Sequence, residues 1–596
     1  MIIQELAAYF ESLSEQGRVG AEGWSKAKVS YGLQLDEDGG LVGIMPLLVI
    51  PDGGKKEVPK ELFVPEQVKR SSGISPNFLC DNSSYMLGFD DKGKSDKDKI
   101  KSKKRAVECF RAAGLLHHEI LDCVDDRDAK SLLRFFDTWN PEKASGNEIL
   151  EEYKEGILKG GNLIFVNSEL EYIHKNPNIR QAWDDYRAQK DDDAVYGTCL
   201  VTGRKTTIAR LHPNIKGIFG AQSSGASLVS YNSTSLESYG HDNADNTGQG
   251  FNGPVSESVA FKYGVALNYL VNDREHSKRI SDTTIVYWAE DAETGYQDVW
   301  GDGFFGDGNI TSVKLNTIAE DIRKGKAVSF NDALLYGDTK FYVMGIVPNA
   351  ARLSVSFFAE GSFGYMLSGL VRFYDELSIV RPKYAEDQTI NIWSLLNEVA
   401  NKNSREKKIP APIVSSVFRA VLEGIAYPEG LFDNVMLRIR AERDINWRKA
   451  AVIKAYLIRR NIVENKEGAS EVLTVELNER SENMPYVLGR IFAVLEKIQQ
   501  EANPGIKSTI RDRYFNSAGS TPATVFPILF KLSQHHVKKL PDGSKIYYDK
   551  MIGELQNKIH VAYPARLSLQ EQGVFYLGYY HQRQTFFKSK NKDEEE

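Results

Sequence analysis

Two places in the chain combine histidine with carboxylate side chains, the residue types used in metal-assisted hydrolysis of phosphodiesters. The first is the run from His117 to Asp122, and the second is the pair His241-Asp242. Two-metal chemistry needs several converging carboxylates and histidines. The first run lies on a predicted helix and is more typical of a surface, and the second lies in an Asn- and Gly-rich loop that nothing periodic positions. The sequence therefore does not favour catalysis by this chain.

Two further motifs carry only part of a known pattern. Gly301-Asp-Gly-Phe-Phe-Gly306 matches the dinucleotide-binding fingerprint, but the residues after it do not open a helix, so a pyrophosphate would lack a helix N-terminus. Cys199 and His212 suggest zinc, yet a structural zinc site needs four ligands and neither residue has a second Cys or His close by. A core cysteine and a capping histidine are the better interpretation. We predict no cofactor and no metal.

The stretch from Cys199 to Pro254 has the chemistry of a binding surface. Seven Gly and seven Ser fall between positions 217 and 253, and such a segment brings main-chain N–H groups close to a bulky ligand. Four cations lie at its start, which indicates an anion, and phosphate is the commonest biological one. These cations are Arg204, Lys205, Arg210 and Lys216. A long solvated loop over an α/β domain is the alternative interpretation.

Two shorter stretches offer related chemistry. Residues 71–77, Ser-Ser-Gly-Ile-Ser-Pro-Asn, present donors and acceptors on a loop in which Pro76 biases Ser75 to extended geometry. Residues 90–105 contain eight Lys or Arg against four Asp and have no usable periodicity, which predicts a mobile segment. It is either a basic arm for phosphates or a solvated surface loop.

Length and composition restrict the class of protein. A chain of 596 residues exceeds what one hydrophobic core supports, and 41% apolar with 26% charged residues is typical of globular protein. The net charge of −6 means that nucleic acid would be bound by local patches. No long apolar segment, no signal-like N-terminus and no Cys-x-x-Cys pair occur, so we expect a cytoplasmic protein without membrane contact.

Periodicity predicts an α+β fold. Helical spacing begins at Ile2 and ends near Gly17, and period-2 alternation predicts strands that form hairpins around residues 36–40 and 348–350. After Gly361 strand patterns largely stop and helical spacing recurs. We predict a mixed α/β region with antiparallel hairpins over 1–360, a connecting helical region over 361–475 and a C-terminal helical bundle over 476–596.

Distinctive motifs are spread over nearly the whole chain. They are the segments Leu6–Glu11, Gly23–Ser25, Ser72–Phe78 with Asp81-Asn82, Cys199-x-x-Thr202-Gly203, Ile208–His212, Ile215–Gly217, Gln222–Ala226, Ser238–Gly240, Pro348–Ser354, Leu488–Arg490 and Gly578–Gln582. In these segments the chain resembles the large subunit of the subtype I-C CRISPR Cascade complex. The resemblance implies a non-catalytic subunit that recognises the motif beside the target in duplex DNA, assists duplex opening and holds the displaced strand. Its implied partners are the other Cascade subunits, the guide RNA, the target DNA and a recruited helicase-nuclease.

The resemblance and the residue types together give candidate site residues. Short amides and hydroxyls suit base edges, and cations suit phosphates. The predicted readers of the flanking motif are Ser72, Ser75, Asn77, Asn82, Gln222 and Ser223, and the predicted phosphate contacts are Lys28, Lys101, Lys103, Lys104, Arg105, Arg204, Lys205, Arg210, Lys216, Arg511 and Arg513. Tyr514 and Phe515 are predicted to stack on bases.

The resemblance also implies that the C-terminal helices are made separately as a small subunit by internal initiation, for which Met484 or a nearby non-AUG codon is compatible. Two other functions stay open on the sequence. One is a stand-alone metal-dependent nuclease, and the other is a structural protein without nucleic-acid contact.

Overall fold

The structure is a computed structural model. It describes residues 1–50, 56–68, 73–90, 95–189, 195–231, 234–238, 241, 249–306, 312–385, 388, 390–401, 409–464 and 469–587. The chain divides into two compact units. The N-terminal unit comprises Phe10–Leu211 and Tyr231–Val265, and the C-terminal unit comprises Met1–Tyr9, His212–Ser230 and Ala266–Glu596. The functional boundaries at 360 and 475 stay a prediction.

The strands, in chain order, are β1 (Trp24–Leu35), β2 (Leu41–Pro46), β3 (Leu48–Val49), β4 (Val58–Pro65), β5 (Cys80–Asp81), β6 (Asn162–Val166), β7 (Tyr196–Thr198), β8 (Lys205–Thr207), β9 (Asn214–Ile215), β10 (Ala226–Ser227), β11 (Ser277–Ile280), β12 (Thr283–Ala289), β13 (Val328–Phe330), β14 (Ala333–Leu335), β15 (Lys340–Asn349) and β16 (Arg352–Ser362).

The α-helices are α1 (Ile2–Glu15), α2 (Ser83–Met86), α3 (Asp96–Leu121), α4 (Arg127–Thr138), α5 (Glu148–Glu151), α6 (Lys154–Leu158), α7 (Pro177–Gln189), α8 (Glu257–Asn272), α9 (Thr294–Phe305), α10 (Ser312–Arg323), α11 (Phe363–Leu377), α12 (Ile392–Asn397), α13 (Ala411–Glu423), α14 (Glu429–Glu442), α15 (Trp447–Val463), α16 (Met484–Ala502), α17 (Ile510–Ser520), α18 (Pro522–Val537), α19 (Asp542–Gln556) and α20 (Leu569–Thr585).

The N-terminal unit is built on a mixed sheet. Its strand order is β3-β4-β1-β6-β5, and β2 also pairs with β1. The β1–β2 hairpin is antiparallel, as predicted, and its turn is closed where the Asp36 carboxylate accepts the Gly40 N–H. β6 runs parallel to β1, which the sequence did not indicate. Helices α3, α4 and α7 bury aromatic and aliphatic side chains against this sheet, among them Phe110, Phe135 and Trp183, and Phe165 of β6 belongs to the same core.

The C-terminal unit contains a second sheet of order β11-β12-β15-β16-β10-β9. The predicted hairpin at 348–350 is β15–β16, and Ala350 occupies its turn with a φ of 53°. Alternate residues of β12 and β15, such as Tyr287 and Val343, are buried in one core with the helices that follow. Every residue of β12 is buried, so both faces of this strand are covered.

Helices dominate the rest of the C-terminal unit, and no strand begins after Arg352 in the part of the chain that the structure describes. The helices α16 and α20 cross closely because glycine lies at their contact: a Cβ atom on Gly489 would collide with the Phe575 carbonyl oxygen, and one on Gly578 with the Tyr486 carbonyl oxygen. The α+β fold with a helical C-terminal region is therefore confirmed.

Two detailed expectations have a clear outcome. The segment 90–105 was predicted to be mobile, and this is wrong from Asp96 onward, because Ser95 caps α3 and the lysine-rich turn continues into an amphipathic helix. The fingerprint Gly301–Gly306 lies at the end of α9, where Gly306 has a φ of 72° and ends the helix instead of preceding one. Among the described residues, no helix combines the length and apolar character needed to cross a membrane.

Candidate nucleic-acid interface

The predicted base-reading loop is held by its own backbone hydrogen bonds. Residues 73–82 pass through a left-handed conformation at Leu79, which has a φ of 58°. Asp81 is buried, and its carboxylate accepts the N–H groups of Asn77 at 2.9 Å and Asn82 at 2.8 Å. A non-glycine residue in this conformation persists only where its surroundings fix it. The loop is consequently a fixed structure, with Asp81 at its centre.

His117 supplies the second anchor of this loop. Its Nε2 accepts the Leu79 N–H at 3.0 Å, and its Nδ1 donates to the Ala113 carbonyl oxygen at 2.7 Å. Burial lowers the pKa of His117 to about 4, so the ring is neutral near pH 7 and its two nitrogens have these opposite roles. The expectation that this histidine lies at the surface is wrong, because the side chain is fully buried.

The neighbouring His118 is a separate, partly exposed group. It lies 2.7 Å from Asp122 and 3.1 Å from Asp137. Burial opposes protonation, but hydrogen bonds to these two carboxylates raise the pKa of His118. Among the described residues, no group of three or more His, Cys, Asp or Glu side chains is arranged to hold a metal ion. Asp242 lies outside the described residues.

The side chains of the two predicted asparagine readers are both hydrogen-bonded within the protein. Asn77 is 5% exposed; its Oδ1 accepts the Val68 N–H at 2.8 Å and its Nδ2 donates to the Gln67 side chain at 2.9 Å. Asn82 caps α2 by accepting the Ser84 N–H at 3.0 Å. Both amides therefore shape the loop, and contact of either one with a base stays a prediction. Ser72 lies outside the described residues.

The basic segment meets this loop. Arg105 of α3 donates from Nη2 to the Gly73 carbonyl oxygen at 2.9 Å. Lys101, Lys103 and Lys104 are exposed on the preceding turn of the same helix. Two sequence predictions, the base-reading loop and the phosphate-binding cations, are thus neighbours in one unit.

A cavity of about 410 Å³ opens beside the loop. Pro76 and Phe78 line it together with Trp183, Tyr186 and Arg187 of α7. The Phe78 and Trp183 rings stack with centroids 5.3 Å apart, and Trp183 stacks on Tyr186 at 5.9 Å. Sequence reasoning missed the three α7 residues. Their i, i+3, i+4 spacing on one helix face was the available signal, but it is also the spacing of ordinary core residues.

The predicted binding stretch 199–254 is divided between the two units. In the N-terminal unit Arg204, Lys205 and Arg210 are exposed around the β7–β8 hairpin. Cys199 is buried at the start of the turn of this hairpin, as predicted, and its sulfur accepts the Ser256 N–H at 3.3 Å. Burial alone would raise the pKa of Cys199, but hydrogen bonds from Ser256, Thr202 and Val201 lower it to about 7.

In the C-terminal unit the same stretch forms the loop between β9 and β10. Lys216, Gln222 and Ser223 are all exposed on it. The Ser227 N–H donates to the Ala351 carbonyl oxygen at 3.1 Å, so this loop is tied to the β15–β16 turn. Two segments that resemble the Cascade subunit, 222–226 and 348–354, therefore meet at one edge of the second sheet.

The remaining predicted cations have different surroundings. Lys28 is exposed on β1, opposite Glu61 of β4. Arg513 is exposed over the Tyr514 ring, 5.6 Å from its centroid. Arg511 is paired with Asp444 at 2.8 Å and is only partly exposed.

The predicted stacking of Phe515 on a base is wrong in this structure. The ring is 1% exposed and packs 4.8 Å from the Tyr579 ring and 5.6 Å from the Phe492 ring. An apolar ring at the interior position of an amphipathic helix is more stable buried against other rings than exposed to solvent.

Comparison with known proteins bears directly on this arrangement. The family model described as CRISPR-associated protein (Cas_Csd1) matches residues 6–587. The match covers both units and every segment of the interface described above. The chain belongs to the Csd1 family of CRISPR-associated proteins. No curated protein matches the chain.

Proposed function

We propose that this chain is the non-catalytic large subunit of a type I-C Cascade complex. In this role it recognises the protospacer-adjacent motif in duplex DNA, assists duplex opening, stabilises the R-loop and helps to recruit a helicase-nuclease. Its partners are the other Cascade subunits, the guide RNA and the target DNA, and its compartment is the cytoplasm. Membership of the Csd1 family supports a CRISPR role.

The hydrogen bond from Arg105 to the Gly73 carbonyl carries the proposal. It connects a loop of fixed shape to a helix that presents lysines. In RNA-guided recognition, base pairing with the guide reads the target sequence, and the protein reads a short flanking motif. That task requires a rigid element at the base edges and cations at the phosphates. The N-terminal unit offers both side by side.

The test uses the assembled complex in a gel-shift assay, on targets that differ only in the flanking motif. Asn82→Ala is compared with Asn147→Ala, because both asparagines cap four-residue helices and accept an N–H two residues on at 3.0 Å. We expect Asn82→Ala and Asn77→Ala to reduce the preference for the correct motif, and Asn147→Ala to leave it unchanged. Equal losses in all three variants would contradict the assignment of this loop.

Nuclease activity is measured in a separate experiment. Purified protein incubated with Mg²⁺ or Mn²⁺ and labelled DNA or RNA is expected to bind without cleaving. Cleavage that scales with protein and is lost with EDTA would favour the stand-alone nuclease. Binding that does not weaken with salt would favour a structural protein without phosphate contacts.

A further inference from the structure

A second cavity of the N-terminal unit lies away from the Ser-Pro-Asn loop. Its volume is about 310 Å³. The end of α1 and the residues after it form one wall, β1 and β4 contribute Trp24 and Phe63, and the 172–180 segment contributes His174, Lys175 and Arg180. Pockets for small ligands measure roughly 300–1,000 Å³, so this one has room for about one nucleotide.

A buried polar group in this cavity lacks a partner. His174 is 3% exposed and its Nδ1 makes no hydrogen bond in the described structure. Burial, followed by the nearby charges of Lys175 and Arg180, lowers the pKa of His174 to about 4. The neutral ring keeps one N–H donor and one acceptor at pH 7. His174 therefore contributes a neutral, flat ring to the wall of the cavity at pH 7.

Two cations lie over aromatic rings of the cavity wall: Arg180, which lines the cavity, and Lys26, which does not line it but contacts Phe63. The Arg180 guanidinium lies 4.6 Å from the Trp24 ring centroid, and the Lys26 Nζ lies 5.3 Å from the Phe63 centroid. Lys26 and Phe63 are direct cross-strand partners on β1 and β4. Lys28, a predicted phosphate contact, follows Lys26 on the same exposed face. Lys26, Lys175 and Arg180 therefore present positive charge beside flat rings.

This combination has a specific chemical meaning. An inorganic anion would need the cations but not the rings, and an apolar ligand would need the rings but not the cations. A nucleotide needs both, because its phosphate is anionic and its base stacks on an aromatic face. The acidic Glu61 also lines the cavity and disfavours a group with more charge than one phosphodiester.

We propose that this cavity holds one nucleotide of a single-stranded nucleic acid, with its base against Phe63 and its phosphate at Arg180 and Lys175. The inference rests on the proposed function and deepens it, since it names a place where a single strand is held. The strand is either the displaced DNA or the guide RNA, and the chemistry of the site is common to both.

The experiment measures binding of fluorescein-labelled 12-nucleotide oligomers of deoxythymidine and of uridine to the full chain by fluorescence anisotropy. The variants are Phe63→Leu and Arg180→Met, which keep apolar bulk, and the control is Lys324→Met, an exposed cation of the C-terminal unit. We expect each cavity variant to raise Kd by about 5-fold or more for at least one oligomer, and the control to leave it unchanged. A larger effect on one oligomer identifies the source of the strand.

Photo-crosslinking of the wild-type chain to oligomers carrying 5-iodouracil provides a readout that does not depend on folding of the variants. Crosslinks to peptides that contain Phe63 or Trp24 are expected. Unchanged Kd in both variants, or crosslinks confined to other peptides, would overturn the proposal. The preference for the correct motif on duplex targets is measured in parallel for Asn77→Ala and Phe63→Leu. The proposed function fails if Asn77→Ala keeps this preference. The site proposed here fails if Phe63→Leu keeps its affinity for the oligomers.

Discussion

Arg105 and the Gly73 carbonyl oxygen are joined by a hydrogen bond of 2.9 Å across 32 residues of chain. Gly73 has a φ of 86°, a conformation that side-chain-bearing residues rarely adopt. The arginine therefore fixes the first described residue of the predicted base-reading loop to α3. Arg105 acts here as a positioning residue, whereas Lys101, Lys103 and Lys104 before it are exposed to solvent.

The first prediction is that Arg105→Met lowers the preference for the correct motif. The variant keeps the length of the side chain and removes the bond to Gly73. A hydrogen bond from an exposed charged group contributes about 0.5–1 kcal/mol after solvent screening, which is about 2- to 5-fold in the ratio of the two Kd values. The ratio is measured on matched and mismatched motifs with the assembled complex. An equal fall in both affinities would show that Arg105 contacts phosphate instead.

The second prediction separates charge from positioning. Replacing Lys101, Lys103 and Lys104 together by Gln should weaken binding to all duplexes and leave the motif ratio unchanged. Each lost phosphate contact reduces the slope of log K against log salt by about 0.9 for duplex DNA. The control neutralises three exposed lysines of the C-terminal unit, namely Lys324, Lys326 and Lys340. If the slope of log K against log salt fell equally in the control, the proposed contact between α3 and DNA phosphates would be contradicted.

The third prediction concerns His117 and pH. Because burial holds the pKa of His117 at about 4, the unfolded chain, with a histidine pKa near 6.5, binds more protons between these values. Stability contributed by the neutral ring is complete above pH 6.5 and is lost as the pH falls toward 4. From pH 7.5 to 5 the loss is about 2 kcal/mol.

His117→Phe should therefore be less stable than wild type at pH 7.5, because the Leu79 N–H loses its acceptor at a cost of about 1–3 kcal/mol. The difference should shrink at pH 5, where wild type has lost the contribution of the neutral ring. Urea denaturation at both pH values measures it. A difference that is the same at pH 7.5 and 5 would mean that His117 is not held neutral in the folded chain.

Much of the fold could be predicted from the sequence because it depends on local periodicity. The β15–β16 hairpin and the helical C-terminal region were predicted, since the spacing of apolar side chains along a strand or a helix is a property of adjacent residues. The parallel pairing of β1 with β6 was not, because strands 130 residues apart carry no local signal of their partner. The helix over 96–105 was missed since its stability comes from the cap at Ser95 and from the amphipathic turns that follow.

The residue types of the candidate site could be predicted from the sequence, but the structural role of each residue could not. The Ser-Pro-Asn loop and the lysines were predicted as candidates from their residue types. In the structure the Asn77 side chain holds the loop in place, and α7 contributes part of the cavity beside it. Buried anchors such as His117 cannot be told from surface histidines without knowing which helix face is covered. The aromatic pair Trp183 and Tyr186 carries the same spacing as core residues.

The fourth prediction tests the contact of α16 with α20. Gly578→Ala should destabilise the chain by about 1–3 kcal/mol, because its Cβ would collide with the Tyr486 backbone and the helices would have to separate. Gly553→Ala on α19 is the matched control, since nothing lies within 4 Å of its added Cβ. It should stabilise by roughly 0.5–1 kcal/mol through helix propensity. Thermal melting compares the two, and equal signs would contradict close packing at Gly578.

The last prediction is that the C-terminal helices fold as a fragment, bind single-stranded DNA weakly and do not cleave it. Helices α16, α17 and α20 share a core in which the rings of Phe492, Phe515 and Tyr579 are in mutual contact. Such a core supports a cooperative transition. One face of α20 also packs outside the fragment, where Gly573 lies against Phe432 and Ile453, so the fragment should melt below the full chain.

The test compares two fragments that begin at different residues. Arg490 is buried and donates to Gln582 at 3.0 Å and to the Glu479 carbonyl oxygen at 3.2 Å. A fragment from Met484 keeps the first acceptor and loses the second, whereas one from Glu476 keeps both. Since a lost hydrogen bond to a buried charged group costs about 1.5–3 kcal/mol, the longer fragment should have the higher unfolding free energy by that amount. Circular dichroism with urea measures both. Helix content without a cooperative transition in either fragment would show that these helices depend on α15, and a separately made small subunit would then need to begin well before residue 476.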